Sequence, residues 1–135
     1  MAMFCGGFNW DSVDKKNDFL RKNCFEIGWE LNDAEDLYSM LGSIKVGDLF
    51  CIKIAAPGKS KFRISAVGLV TSSLSKNLIN SVGNTKTIGV KWLYTDEFEV
   101  VAKGKSTNVR AGTLYEEFDE GIINQVINKL FTLTK

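Results

Sequence analysis

The chain has 135 residues, of which 44% are hydrophobic and 24% are charged, and its net charge is +1. This length and composition predict a single globular domain over residues 1–135, and the near-neutral charge argues against binding nucleic acid mainly by phosphate neutralisation. Histidine is absent, which excludes Ser-His and Cys-His nucleophile pairs and His-containing zinc sites.

The three cysteines, Cys5, Cys24 and Cys51, are too few and too scattered for a disulfide framework or a C-x-x-C metal pair. We interpret them as small buried hydrophobes. No apolar run approaches the roughly 18 residues of a membrane span, and the N-terminus lacks a signal-peptide pattern. We therefore expect a cytoplasmic protein with no membrane contact, no metal and no other cofactor.

The first third of the chain alternates strands and helices. Residues 3–5 form a short predicted strand that ends at Gly6-Gly7, and a helix is expected from Ser12 or Asp14 to Lys22. The segment "CFEIGWE" alternates as a strand. The segment "DAEDLYSMLGSI" has apolar residues at helical spacing and acidic residues in its first turn, which predicts a second helix.

A central segment contains "PGKS", which resembles part of a phosphate-binding loop. The position five residues before Gly58 is Lys53 rather than glycine, and an apolar strand pattern follows instead of a helix, so the nucleotide interpretation fails. The segment predicts a hairpin, with strands near residues 48–54 and 62–70 around a polar loop. Gly68 interrupts the second strand, which indicates a bulge, a tight bend or close approach by a ligand.

The second half predicts more strands and a terminal helix. The stretch "SSLSKNLINSVGNTK" is an irregular connection or a short helix, whereas "TIGVKWLYT" and "EFEVVAK" are expected strands. From Asp119 onward, apolar residues repeat at helical spacing. About five strands, several bent by glycine, predict an α+β fold in which a curved sheet or partly closed small barrel is flanked by about three helices.

Several local patterns, in this order, resemble the PUA-like superfamily. Within it the chain is similar to EVE and YTH domains and to the N-terminal specificity domains of McrB-type restriction proteins. The patterns are "MFCGGFNWDSV", "FEIGWE", the pair "IKVGDLFCIKI" and "ISAVGLV", and the later "VKWLY" and "RAGTLYEEF". The chain departs from the EVE pattern at residues 5–8 and 51–54, so the pocket residues that EVE domains carry there are absent.

The resemblance implies a pocket that holds one flipped, often modified, nucleobase between aromatic side chains. The residues expected at this base pocket are Trp10, Trp29, Trp92, Phe8, Asn9, Asp11 and Gly68. Trp29 and Trp92 lie on predicted strands, where core packing explains them equally well. The residues around Trp10 also fit a plain helix entry.

The best local basic cluster lies on and before the predicted hairpin loop: Lys53, Lys59, Lys61 and Arg63. We expect it to contact the backbone of a nucleic acid, although a solvated loop of mixed charge has the same composition. A second cluster, at Lys15, Lys16, Arg21 and Lys22, is interleaved with acidic residues and is typical of an exposed helix face.

These features favour a non-catalytic domain that recognises a modified, flipped base in nucleic acid, with DNA favoured over RNA, in a restriction or phage-defence system. The resemblance allows a fused or associated AAA motor or nuclease as a further partner. The alternative is a protein-interaction or small-ligand module of the same fold without nucleic-acid binding, which the near-neutral charge favours. A hydrolase or RNA-modifying enzyme is the weakest hypothesis because no nucleophile and base are apparent.

Overall fold

The computed structural model describes residues 1–10, 13–28, 34–54, 61–74, 87–102 and 113–132. Within them lie three helices, α1 (Lys16–Lys22), α2 (Glu35–Ser43) and α3 (Glu120–Thr132). The strands are β1 (Met3–Gly6), β2 (Asn9–Trp10), β3 (Val13–Asp14), β4 (Cys24–Glu26), β5 (Leu49–Ile54), β6 (Lys61–Ser72), β7 (Thr87–Tyr94), β8 (Phe98–Val101) and β9 (Leu114–Glu117). None of these helices is long and apolar enough to cross a membrane.

Seven of the strands form one mixed sheet in the order β4-β7-β6-β5-β1-β9, with β8 paired to β6. Strands β1 and β5 are parallel, and the other pairs in the sheet are antiparallel. Strands β2 and β3 form a separate small hairpin. A curved sheet with helices packed against it confirms the predicted α+β class.

The long strand β6 determines the curvature of the sheet. Its first half pairs with β8, from Lys61 opposite Val101 to Ile64 opposite Phe98, and its second half pairs with β7. Strands β7 and β8 therefore lie end to end along the same edge of β6. On the other edge, Ile64 and Ala66 face consecutive residues of β5, which leaves Ser65 as the extra residue of a bulge.

The two faces of the sheet bury two separate hydrophobic cores. The first core joins α1 and α2 to the sheet and contains residues such as Phe4, Phe50 and Ala66. The second lies under α3 and contains their neighbours Cys5, Cys51 and Ile64. Because both faces are covered, successive residues of β1 and β5 are buried instead of alternating with exposed ones. The three cysteines are buried and free, as predicted.

The side chain of Gln125 covers part of the free edge of β8. Its amide oxygen accepts a hydrogen bond from the backbone N–H of Val101 at 2.9 Å, and its amide nitrogen donates to the carbonyl oxygen of the same residue at 2.9 Å. The side chain thus pairs with Val101 as a neighbouring strand would, and it fixes α3 against the sheet.

Three element predictions differ from the structure. Helix α1 begins at Lys16 rather than at Ser12 or Asp14, because Val13 and Asp14 pair with β2. Strand β4 ends at Glu26, short of the predicted segment. Strand β9 was missed, since its four residues include two glutamates and it is stabilised by pairing with the distant β1. Of the predicted connection at residues 72–86, Ser72 is the last residue of β6, and residues 75–86 lie outside the described residues.

Gly6 is required for the packing of two rings in the first core. A Cβ atom at Gly6 would lie 2.5 Å from Cζ of Phe25 and 2.9 Å from Cζ of Phe50, whereas the nearest atom to a Cβ at Gly7 would be 3.9 Å away. We expect Gly6→Ala to lower the free energy of unfolding by about 1–3 kcal/mol through overpacking. Gly7→Ala, the matched control, should change it by about 0.5 kcal/mol or less. Urea denaturation of both variants checks this, and equal effects would contradict it.

Candidate functional site

The segment after β1 is held firmly at both of its ends. The backbone N–H of Gly7 donates to the carbonyl oxygen of Thr113 at 2.9 Å, and the N–H of Lys15 donates to the carbonyl oxygen of Phe8 at 2.7 Å. Between these bonds, β2 and β3 pair so that Asn9 lies opposite Asp14. The segment predicted to carry base-pocket residues is therefore a closed hairpin beyond the end of β1.

Phe8 and Trp92 both pack against the first core and are only partly buried. The indole N–H of Trp92 donates to the carbonyl oxygen of Phe19 at 2.9 Å, which joins β7 to α1. The rings of Trp92 and Phe50 form a T-shaped pair with a centroid distance of 6.4 Å and an interplanar angle of 75°. The indole nitrogen thus has its partner inside the protein, and what Trp92 can offer a ligand is the exposed part of its ring.

Gly68 allows β7 to approach β6 closely beneath Trp92. A Cβ at Gly68 would lie 2.5 Å from Cγ1 of Val90, 2.7 Å from the carbonyl oxygen of Lys91 and 3.0 Å from Cε3 of Trp92. The register between β6 and β7 also shifts next to Gly68, in agreement with the predicted bulge. Gly68 therefore has a packing role, and it places the Trp92 ring against the strand.

Three phenylalanines that the sequence analysis did not single out lie beside these residues. The ring centroids of Phe19 and Phe25 are 5.3 Å apart, and those of Phe25 and Phe50 are 4.4 Å apart. Each of the three is fully buried. These three rings, here called the aromatic floor, belong to the same core against which Phe8 and Trp92 pack, and their alternation in "CFEI" and "LFCI" was the signal that could have indicated it.

The structure brings together only part of the predicted base pocket. Phe8, Gly68 and Trp92 adjoin the first core, and the backbone of Asn9 and Trp10 lies in the adjoining hairpin. The side chains of Asn9 and Trp10 lie outside the described part of the molecule, as do Asp11 and Trp29. The pocket itself therefore stays a prediction.

The hairpin cations have acidic partners on β8 and in the turn before it. Lys61 lies 3.6 Å from Glu99, and Arg63 lies 3.6 Å from Glu97, with all four side chains well exposed. Exposed pairs of this kind contribute little stability, but they neutralise the local charge. Lys59, the third hairpin cation, lies outside the described residues.

Lys53 was predicted to contact a nucleic-acid backbone, and the structure places it elsewhere. The residue is only 3% exposed, and its ammonium nitrogen lies 5.6 Å from the centroid of the Tyr115 ring. Lys53 follows Leu49 and Cys51 on the face of β5 that packs toward α3, so its side chain points inward. Burial lowers the pKa of Lys53 from 10.5 to about 8. We therefore leave Lys53 out of any surface contact with phosphate.

The cations of α1 fit the predicted exposed helix face. Asp18 lies 3.0 Å from Arg21 and 3.9 Å from Lys15, and the ammonium group of Lys16 donates to the carbonyl oxygen of Thr95 at 3.2 Å. In the part of the chain that the structure describes, no cluster of three thiol or carboxylate side chains is arranged to hold a metal ion.

Comparison with known proteins gives one clear result. Searches against protein-family models and curated proteins gave no match. Among solved structures, the chain is similar to the YTH domain of the Zygosaccharomyces rouxii MRB1 protein, solved in complex with N6-methyladenosine RNA. The TM-score is 0.57 at 11% identity, and the alignment covers 96% of this chain and 86% of that domain. The chain therefore has a YTH-like fold.

Burial of Lys53 predicts an unusual dependence of stability on pH. An unfolded lysine keeps its proton up to pH 10.5, whereas the folded protein releases it near pH 8. The unfolded state thus binds more protons within that window, and stability should rise with pH through it. Lys53→Met removes the cost of burying the charge and should stabilise the protein at pH 7 by roughly 1–3 kcal/mol.

Buried thiols oppose this trend at higher pH. Burial, with the nearby Glu26 carboxylate, raises the pKa of Cys24 from 9.0 to about 12. The unfolded thiol therefore ionises first, and stability falls above about pH 9. The measurement is chemical denaturation of both proteins at pH 7, 8, 9 and 10. The stability difference between Lys53→Met and the unmodified chain should shrink from pH 8 upward, and a constant difference would contradict the prediction.

Proposed function

We propose that the chain is a non-catalytic recognition domain that binds one modified base, such as a methylated one, flipped out of a nucleic-acid strand. The observation that carries the proposal is the likeness of nearly the whole fold to a domain solved with N6-methyladenosine RNA. The closed hairpin with Phe8, Asn9 and Trp10 beside an aromatic floor supports it, because a flipped base needs flat apolar walls and a few polar groups.

In this proposal the aromatic residues supply most of the binding free energy. Trp10, Trp29 and the exposed part of Trp92 are the proposed walls, with Phe8 beside them, and stacking on such rings contributes about 1–3 kcal/mol per base. A methyl group on the base would add roughly 0.8 kcal/mol by filling apolar space. Asn9 and Asp11 are the proposed polar groups that read the edge of the base.

Phosphate contacts have a small role in the proposal. The net charge is +1, and Lys61 and Arg63 lie beside Glu99 and Glu97. The backbone contacts proposed for Lys61 and Arg63 would therefore first have to displace these acidic partners, and Lys59 is proposed to contact the same backbone. We expect affinity to come mainly from the pocket, and to depend on salt less than in a strongly basic protein.

We propose DNA as the natural strand, in a restriction or defence system, on the strength of the motif order that resembles McrB-type specificity domains. The similar YTH domain was solved with RNA, so RNA is the necessary comparison. We also propose that an AAA motor or a nuclease is fused to the chain or associated with it in such a system.

Titration of the chain with fluorescent oligonucleotides tests the proposal directly. Plain and N6-methyladenine-containing strands are compared, each as single-stranded DNA, duplex DNA and RNA. We expect the methyl group to change the affinity more than the type of strand does. We expect a methylated strand to bind at least about ten-fold more tightly than its unmodified counterpart, since one buried methyl group and improved stacking together reach about 1.4 kcal/mol. The slope of log K against log salt should be about −1 to −2, equivalent to one or two phosphates.

Other methylated bases, including 5-methylcytosine, belong in the same series because the fold does not specify the base. If no strand binds more tightly than about 10⁻⁴ M at low salt, the nucleic-acid proposal is wrong. Preference for RNA over DNA would overturn the choice of strand and leave base recognition standing.

Alanine variants of the three tryptophans separate pocket from core roles. Trp10→Ala and Trp29→Ala should lose roughly 1–3 kcal/mol of binding free energy while the melting temperature changes little. Trp92→Ala should lose roughly 3–5 kcal/mol of stability, because Trp92 bonds to Phe19 and packs on the first core. Melting temperature and affinity are measured on the same samples. Heavy loss of stability in all three, without selective loss of affinity, would rule out the aromatic pocket.

A protein-interaction or small-ligand module of the same fold is the second candidate. The pairing of Lys61 and Arg63 with acidic residues favours it, because these two cations of the described part of the hairpin then present little free positive charge. The oligonucleotide titrations decide between the two candidates.

A further inference from the structure

A second feature of the surface lies at the opposite end of β1 from the hairpin at Phe8. In the sheet, Met3 is paired on one side with Leu49 of β5 and on the other with Glu117 of β9. The turn before β5 and the residue after β9 therefore flank the start of β1. These two places carry Val46, which is 64% exposed, and Phe118, which is 75% exposed.

Hydrogen bonds fix the backbone next to each of these two residues. The Asp48 carboxylate accepts hydrogen bonds from the backbone N–H of Ala2 at 3.0 Å and of Lys45 at 2.9 Å, and Gly47 has a positive φ of 96°. This fixes the turn that presents Val46. Neighbouring strands lie about 4.8 Å apart, and β1 lies between β5 and β9. The backbone at Val46 and the backbone at Phe118 are therefore roughly 10 Å from each other.

Phe118 is held outward at the start of α3. The Asp119 carboxylate accepts from the N–H of Ile122 at 3.0 Å and caps the helix, and the N–H of Asp119 donates to the Glu117 carboxylate at 3.2 Å. An apolar residue just before a helix cap commonly folds back onto the first turn. Phe118 does not, since three quarters of its surface is exposed to solvent.

The charge around Phe118 indicates what would cover it. Residues 113–128 contain four acidic residues, Glu116, Glu117, Asp119 and Glu120, and no basic residue. Lys45 adds one positive charge beside Val46. A phosphate backbone would be repelled from such a corner, whereas arginine and lysine side chains would be attracted to it. An exposed aromatic side chain within a rim of charge is typical of an interface anchor.

We propose that the corner formed by Val46 and Phe118 is a docking surface for a protein partner that brings a basic surface with an apolar pocket. Phe118 enters the pocket, Val46 widens the apolar contact, and Glu116, Asp119 and Glu120 face the partner's cations, whereas Glu117 is buried. Ala2 and Phe8 are six residues apart along extended backbone, which corresponds to roughly 20 Å. A partner here and a base at the hairpin can therefore be bound at the same time.

The test uses the ¹⁵N-labelled chain and a defined probe, a 14-residue amphipathic peptide of leucine and lysine. The same peptide with glutamate in place of lysine is the control, and a methylated oligonucleotide is a second ligand. We expect the basic peptide to shift the amide resonances of residues 45–47 and 116–120, with affinity that falls as salt is added. Phe118→Ser should weaken binding at least about ten-fold.

Phe131→Ser is the matched control variant. Phe131 is another exposed phenylalanine, at 63%, but it lies in the last turn of α3, where the sequence from residue 121 to residue 135 contains lysines and no acidic residue. We expect it to leave peptide affinity unchanged. Glu116→Gln with Glu120→Gln should weaken binding several-fold and flatten its salt dependence. Melting curves of all variants verify that the fold is intact, as expected for exposed positions.

Several outcomes would overturn the proposal. They are absence of peptide binding below about 1 mM, equal binding of the acidic peptide, equal loss in Phe131→Ser, or shifts located elsewhere. If the amide resonances of residues 116–120 shift when the protein concentration alone is raised, the occupant is a second copy of the chain. If the oligonucleotide shifts them, the occupant is nucleic acid. Failure of base binding leaves this proposal untouched, because the two ligands are titrated separately.

Discussion

The extra residue at Ser65 is the constraint on which the arrangement of this sheet depends. Side chains of a regular strand alternate between faces, so Ile64 and Ala66 would share a face without it. The bulge instead places Ile64 in the core under α3 and Ala66 in the core under α1 and α2. It also bends β6, so that β7 and β8 occupy successive parts of its edge instead of pairing with each other as a hairpin.

The packing of both faces of the main sheet explains which strands could be predicted from the sequence. Strands β5, β6 and β7 are long and rich in branched residues, and their local preference agrees with their burial. Strand β9 could not be found this way, because its Glu117 is buried through contacts with a strand more than a hundred residues away. The start of α1 was misjudged for a similar reason, since Asp14, which is suited to a helix cap, pairs with Asn9 in the β2–β3 hairpin.

The candidate site could be predicted only where its residues contact others that are close to them in the sequence. Trp92 lies on a strand, as predicted, and packs toward the same core as Ile88 and Val90, but its hydrogen bond to Phe19 spans 73 residues and leaves no local signal. Lys53 shows the converse error. A lysine near a hairpin loop is expected to be exposed to solvent. Because both faces of β5 are covered, however, the side chain of Lys53 is buried. Its lowered pKa is a direct result of that burial.

The distribution of charge separates the two ends of β1. At the end near Phe8, α1 and the residues just before it contribute lysines and an arginine with Asp14 and Asp18 among them, whereas the end near Phe118 is acidic apart from Lys45. A polyanion approaching this molecule would be directed away from the acidic corner by the field alone, although the total charge is close to zero. Net charge is therefore a poor guide to binding here. The relevant quantity is the local field at each end of one short strand, where rigid hydrogen-bonded turns hold the exposed groups in place.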